Sequence, residues 1–287
     1  GMCGAKMSEA GIDEIFGSGA IPYFGAVAVP TGVFTFIDGG ISLSGRYRYV
    51  SGAGHADWLL LAGVESGESR SVRLAAVPAD DVSLSDDWDV MALNWTCSVD
   101  VSLEEVVVPD HLIADPMASP ERGGPMYTVG YQAYVAGENL GFSLGVCQRL
   151  LDEITRYANA KVRGNDGRLA DRGAFQYELG KTQLEVEAAK AFGLSELQTA
   201  DDRCTSNNGL SSAEEQKVVA TLAFCTESAV NAVSHLYHFA GAGAIFNSSV
   251  LQRCFRDAHG SVMHHVVSNI AYDKYGNSLL AADQSAE

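Results

Sequence analysis

The chain has 287 residues, 47 % of them apolar, and a formal net charge of -17. Those apolar residues suffice for a full core, and the length predicts two domains or lobes. The acidic excess argues against nucleic acid and against an anionic membrane surface, because both require a basic face. No run of about 20 apolar residues exists to cross a bilayer, and the first residues lack the apolar segment of a signal peptide, so a soluble cytoplasmic protein is expected. Six cysteines, at positions 3, 97, 147, 204, 225 and 254, are scattered without a CxxC pair. Neither a zinc knuckle nor a disulfide framework is indicated, and no metal site is expected.

In chain order, residues 8 to 17 predict a short helix. Short β-rich or alternating runs follow at Phe34 to Ile37, Ile41 to Leu43, Arg46 to Val50, Trp58 to Ala62, Ser71 to Ala76 and Val99 to Val108. Gly, Pro, Asp and Ser punctuate them at the spacing of a sandwich or barrel. Pro116 to Pro125, PMASPERGGP, shifts the composition and predicts a linker. Beyond it the period lengthens: Leu140, Leu144, Cys147, Leu151, Ile154 and Ala158 share one helical face, and no proline follows Pro125. Helices are expected at about 127 to 162, 171 to 198, 212 to 240 and 248 to 274, with breaks at Arg163 to Gly167, Ser206 to Gly209 and Gly241 to Gly243. The fold class is therefore α+β: an N-terminal antiparallel β-barrel or sandwich, then an antiparallel four-helix bundle. The expected boundaries are a helical segment at 1–19, a β-domain at 20–116, a linker at 117–126 and the bundle at 127–287.

The densest chemistry lies from Phe239 to His265. Gly241 and Gly243 permit a left-handed backbone or a close approach to a ligand, and Ser248-Ser249 suit the cap of the next helix. That helix carries Arg253, Arg256 and Asp257, which fit either phosphate oxygens or structural ion pairs. His264 and His265 follow. An imidazole titrates near pH ~6.5 and suits acid–base work, while a packed helix histidine is the alternative. Upstream, Ser51 precedes Gly52 at a strand end. This suits a hydroxyl or backbone N–H aimed at a planar ligand, or simply a turn. Gly141-Phe142-Ser143-Leu144-Gly145 fits a nucleophile pattern but falls inside a helix, so packing is expected. His235 and His238 lack a matching carboxylate or cysteine set for a metal.

Several spaced segments together resemble the acyl-CoA dehydrogenase superfamily, in its type-2 C-terminal branch that includes flavin-dependent monooxygenases of two-component systems. They are Pro30-Thr31-Gly32 with Asp38-Gly39-Gly40, Ser44-Gly45-Arg46 and Ser51-Gly52; Trp88-Asp89-Val90, Thr96, Ser98 and Val108-Pro109; Leu169 to Gly180; and Leu251 to Asp257 with His264. The resemblance implies FAD or FMN as cofactor. It implies Ser51 and His264 as catalytic groups on one flavin ring, with Ser51, Gly52, Thr96, Ser98, Gln176, Gly241, Gly243, Arg253 and Arg256 as cofactor contacts. It further implies a homo-oligomer, dimer or tetramer, served by a flavin reductase and oxygenating an aromatic or apolar small molecule. An acyl-CoA dehydrogenase-like oxidoreductase is the second reading, and a non-catalytic chain needing a separate helical-domain subunit is the third. Two departures stand out. The α-helical domain that opens the superfamily is expected to be absent. The family's L-x-G-T-G-S is Leu93-Asn94-Trp95-Thr96-Cys97-Ser98 here, so Trp95 and Cys97 replace glycines in a turn expected to face the ligand.

Overall fold

The computed structural model describes residues 1–284 apart from Arg163, Asn165, Asp166 and Asn208, and side chains as far as residue 281. The chain divides into two compact units, Gly1–Tyr127 and Thr128–Glu287.

In the first unit seven strands form one sheet in the order β5-β6-β2-β1-β3-β4-β7. They are β1 Phe24–Ile37, β2 Gly40–Tyr47, β3 Trp58–Glu65, β4 Val72–Pro78, β5 Ser83–Leu84, β6 Val101–Pro109 and β7 Ile113–Ala114. Every neighbouring pair is antiparallel except β1 with β3. The register of β1 on β3 jumps from Val27↔Leu61 to Gly32↔Gly63, so residues 28–31 bulge out of the ladder. Pro30 sits in that bulge, where no ladder N–H is needed. The run Ile41 to Leu43 and the first two residues of the run Arg46 to Val50, expected as separate strands, lie in the one strand β2. A shift against β6 between Leu43 and Gly45 interrupts the alternation without ending the pairing. The strand stops at Tyr47, and beyond it Tyr49 takes a left-handed φ of 58°.

Two short helices, α1 Met2–Lys6 and α2 Glu9–Phe16, precede the sheet. Ser8 caps α2 by accepting from the Gly11 amide at 3.3 Å. Met7 and Ile15 are buried in the same core as Phe34, Leu43, Leu59 and Val101. The stretch expected as a linker returns to these helices: Arg122 donates to the carbonyls of Gly4 and Met7 and pairs with Glu9, and the Glu121 amide donates to Ala5 O at 2.7 Å.

The second unit contains α3 Tyr131–Ala160, α4 Gly173–Asn207, α5 Ser212–Tyr237, α6 Val250–Ser261 and α7 Ile270–Gln284. On α4 the buried positions Phe175, Thr182, Val186, Ala189, Gly193, Glu196, Ala200 and Cys204 recur at coiled-coil-like spacing. Gly193 brings α4 close to α3, since a Cβ there would lie 2.5 Å from Leu140 Cδ2. The start of α5 is a capping box: Ser211 Oγ accepts from the Glu214 amide, and Glu214 accepts from the Ser211 amide. Thr182 bonds to Ala232 while Glu196 pairs with Lys217, so α4 and α5 run antiparallel, as expected of a bundle. The expected break at Arg163 to Gly167 falls partly outside the described residues. On its two sides the Leu169 amide donates to Lys161 O at 2.9 Å. Asn208, in the next expected break, also lies outside them.

The single helix expected at 248 to 274 is two helices. After Ser261 the backbone leaves the helical region at His264 (φ -70°, ψ 140°), makes a 3₁₀ turn at His265–Val267 and restarts at Ile270. Val262, Val266 and Val267 lower helix propensity through their β-branched side chains, and the turn lets Val266 and Val267 enter the core. Ser249 holds the N-cap position of α6, yet its hydroxyl makes no capping bond; the Gln252 side chain donates through Nε2 to the carbonyls of Asn247 and Ser249.

Candidate functional site

In the first unit Ser51, Gly52, Thr96 and Ser98 come together. Ser51 lies just beyond β2, tied to β1 through Ala26 N–H donating to Ser51 O at 3.2 Å. Gly52 has φ 86°, and a Cβ there would lie 2.8 Å from Phe24 O, so the position requires glycine. Its amide donates to Thr96 O at 2.7 Å, which joins the 51–52 turn to the 94–96 turn. Three hydroxyls then line up. Thr96 Oγ1 lies 2.9 Å from Leu93 O, Ser98 Oγ lies 2.8 Å from Thr96 Oγ1, and Ser51 Oγ lies 2.9 Å from Ser98 Oγ. Ser98 is buried, 7 % exposed, whereas Ser51 is at the surface.

The Leu93–Cys97 turn departs from the sequence expectation in a specific way. Leu93 and Cys97 both adopt left-handed backbone, φ 57° and φ 40°. Cys97 thus takes the conformation that the replaced glycine would favour. Trp95 is 82 % exposed, so its ring projects outward rather than filling the turn. Asn94 Nδ2 donates to Val90 O at 2.8 Å and fixes the base of the turn.

In the second unit Gly241 has φ 67° and ψ -164°, a combination essentially confined to glycine. It bends the 3₁₀ segment His238–Ala244 after α5. The Tyr157 hydroxyl donates to Ala240 O at 2.9 Å, the Tyr237 hydroxyl donates to Ala244 O at 3.2 Å, and a Cβ on Gly243 would lie 2.8 Å from the Tyr157 oxygen. Gly243 therefore admits a tyrosine of the bundle. Arg256 Nε donates to Gln252 Oε1 at 2.7 Å, which is the structural use of that arginine, while Arg253 is exposed. Phe255 stacks on Tyr237 and abuts His259, whose Nε2 lies 2.8 Å from Ser234 Oγ. Ser234 donates to Val230 O, so His259 carries its proton at Nε2.

His264 stands in the break between α6 and α7. Its Nδ1 accepts from the Val266 amide at 3.4 Å, leaving Nε2 to carry the proton and act as a donor. Desolvation first, and then the adjacent His265 ring 4.5 Å away, hold its pKa below the ordinary imidazole value. Gln176 is exposed and donates to Ala170 O at 2.9 Å, a local bond that secures the start of α4. Ser143 lies inside α3 with its Oγ 2.8 Å from both Asn139 O and Ser261 Oγ, so the G-x-S-x-G match is helix packing. Among the described residues no group of three or more His, Cys, Asp or Glu could hold a metal, and no helix is long and apolar enough to cross a membrane. Sequence reasoning named Ser51, Thr96 and Ser98 separately. It missed the Leu93 carbonyl that ends their chain, and it missed Tyr157, Tyr237, Gln252 and His259, which carry no motif.

Residues 141–269 match the family model described as acyl-CoA dehydrogenase, C-terminal domain. A pigment production hydroxylase of Rhodococcus erythropolis is 23 % identical over 286 residues, covering 94 % of this chain and 73 % of that protein. The oxygenase component of an FADH(2)-dependent resorcinol hydroxylase from Rhizobium sp. is 26 % identical over 275 residues, covering 84 % of this chain and 64 % of that one. Among solved structures, XiaF from Streptomyces sp. in complex with FADH2 and glycerol superposes with a TM-score of 0.86 at 23 % identity, covering 98 % of this chain and 74 % of that chain.

Proposed function

We propose, for a chain with the acyl-CoA dehydrogenase-like fold that carries this family's C-terminal domain, that it is the oxygenase component of a cytoplasmic two-component monooxygenase. It takes reduced FAD or FMN from a separate flavin reductase and hydroxylates an aromatic or apolar small molecule. The observation that carries this reading is Ser51: an exposed hydroxyl, held on buried Ser98, in a chain whose relatives include an FADH(2)-dependent aromatic hydroxylase.

Reduced flavin, when bound, supplies the electrons for inserting one oxygen atom from O₂. The residues of the first unit that would hold it are Ser51, Gly52, Thr96 and Ser98. The hydroxyl set fits a heterocycle edge, because it offers polar atoms without a net charge. Ser51 orients the ring edge. His264, proton at Nε2, offers a hydrogen-bond donor that keeps its proton, a role suited to a group that stays neutral near pH 7. Residues 258–267 contain three histidines and no carboxylate, so the base that dehydrogenation of an acyl thioester requires is not offered there. Exposed apolar side chains on α4, including Tyr177 and Leu184, support self-association as a dimer or tetramer.

The test is reconstitution with a flavin reductase, NADH and a panel of phenols and indoles in isotopically labelled dioxygen. One labelled oxygen atom in a product is expected. Hydrogen peroxide as the sole product for every aromatic tested, or flavin bleaching by an acyl-CoA thioester under argon, would count against the proposal.

A further inference from the structure

The three hydroxyls of the first unit have a proton order that their distances dictate. A carbonyl has no proton, so the 2.9 Å contact between Leu93 O and Thr96 Oγ1 is a hydrogen bond only if Thr96 donates. Thr96 then has no proton left for Ser98, and the 2.8 Å contact between them requires Ser98 to donate. Ser98 is spent in turn, so the 2.9 Å contact with Ser51 requires Ser51 to donate. The proton of Ser51 thus points inward, and the side of Ser51 that faces out presents lone pairs alone. The neighbouring Gly52 amide is also committed, to Thr96 O.

We infer that Thr96 and Ser98 are positioning residues that fix Ser51 as a hydrogen-bond acceptor, so that this edge selects a ligand presenting an N–H or O–H. The inference rests on the flavin reading above and deepens it. We take the ring atom facing Ser51 to be N5, which carries a hydrogen in reduced flavin and is itself an acceptor in oxidised flavin. A fixed acceptor at Ser51 satisfies the first and sets lone pair against lone pair with the second. The Leu93 carbonyl thereby sets redox-state preference through two intervening side chains. The left-handed backbone at Leu93 and Cys97 holds that carbonyl under Thr96.

The experiment compares dissociation constants for oxidised flavin in air and for photoreduced flavin under argon, using the full chain and four variants. Thr96→Val removes the first proton of the series, freeing Ser98 to donate to Ser51 and Ser51 to donate outward. Ser98→Ala leaves the Ser51 hydroxyl unheld. In both, the preference for reduced flavin is expected to shrink by about tenfold, the worth of one hydrogen bond. Thr96→Ser retains the hydroxyl and is expected to keep the wild-type ratio, and Ser51→Ala should abolish the preference by weakening the reduced form and relieving the repulsion of the oxidised one. Thermal melts of each variant separate a folding defect, which lowers both affinities together, from a change in ratio. An unchanged ratio in Thr96→Val and Ser98→Ala overturns this inference while leaving flavin binding intact. Failure of the wild-type chain to bind flavin in either state overturns it together with the flavin reading.

Discussion

Gly54 and Cys97 lie against each other: a Cβ built on Gly54 would sit 2.8 Å from Cys97 Cβ and 3.2 Å from its sulfur. Cys97 holds its left-handed backbone, φ 40°, in that packed setting. Two opposed substitutions follow. Cys97→Gly relieves the left-handed strain and is expected to raise stability by about 1 kcal/mol, after the entropic cost of glycine. Gly54→Ala is expected to lower it by about 1–3 kcal/mol through overpacking. In the Cys97→Gly background the Gly54→Ala penalty should largely disappear, and a double-mutant cycle by urea unfolding measures that coupling.

Gly241 sets the bend after α5. Gly241→Ala forces a side chain into a backbone region reserved for glycine and is expected to cost about 1–3 kcal/mol. Tyr157→Phe removes the donor to Ala240 O and is expected to cost about 0.5–1.5 kcal/mol. Chemical denaturation checks both. Equal, near-zero effects would mean that the 238–244 segment does not depend on this bend.

Glu196 is nearly buried and takes both of its hydrogen bonds from Lys217 Nζ, at 2.9 and 2.8 Å. Lys217→Met leaves the carboxylate without its partner and is expected to destabilise by about 1–3 kcal/mol, moderated because Lys217 is itself partly exposed. Adding Glu196→Met should recover much of the loss, since two apolar side chains leave no stranded charge. Unfolding midpoints of the single and double variants decide it.

Desolvation holds His259, His264 and His265 below the ordinary imidazole value, with His265 adding to the effect on His264 and Lys274 to that on His265. The folded state therefore favours neutral imidazoles, and as pH falls the unfolded chain binds protons first. Their stabilisation is complete above about pH 6.5 and declines as pH falls below it towards the lower folded values. Glu65, Asp171 and Glu214 have lowered pKa values from their hydrogen bonds, so their contribution is lost only in the more acidic carboxylate range. Urea midpoints between pH 7.5 and 5 should fall for the wild type, and His259→Gln should flatten part of that slope.

The α+β order, most strands and the long helices were legible from alternation in the first half and helical spacing in the second, because those periods reflect which side chains are buried. Ser51, Thr96, Ser98 and Gly241 were also legible as candidates, by residue type and by resemblance. The break at His264 was not. Its cause is the burial of Val266 and Val267, and local propensity registers β-branching without registering which core those valines enter.

The sequence alone determined the acidic, two-part α+β chain, the glycine at 241 and the hydroxyl-bearing residues near 51 and 96, since composition and period are local properties. Only the tertiary structure decided that Cys97 takes a glycine's conformation, that Trp95 points outward, and that a carbonyl at residue 93 directs the proton of Ser51. Hydrogen-bond polarity passes between groups far apart in sequence, Ser51 and Ser98 among them, and it is set by distances that arise only when those turns are brought together.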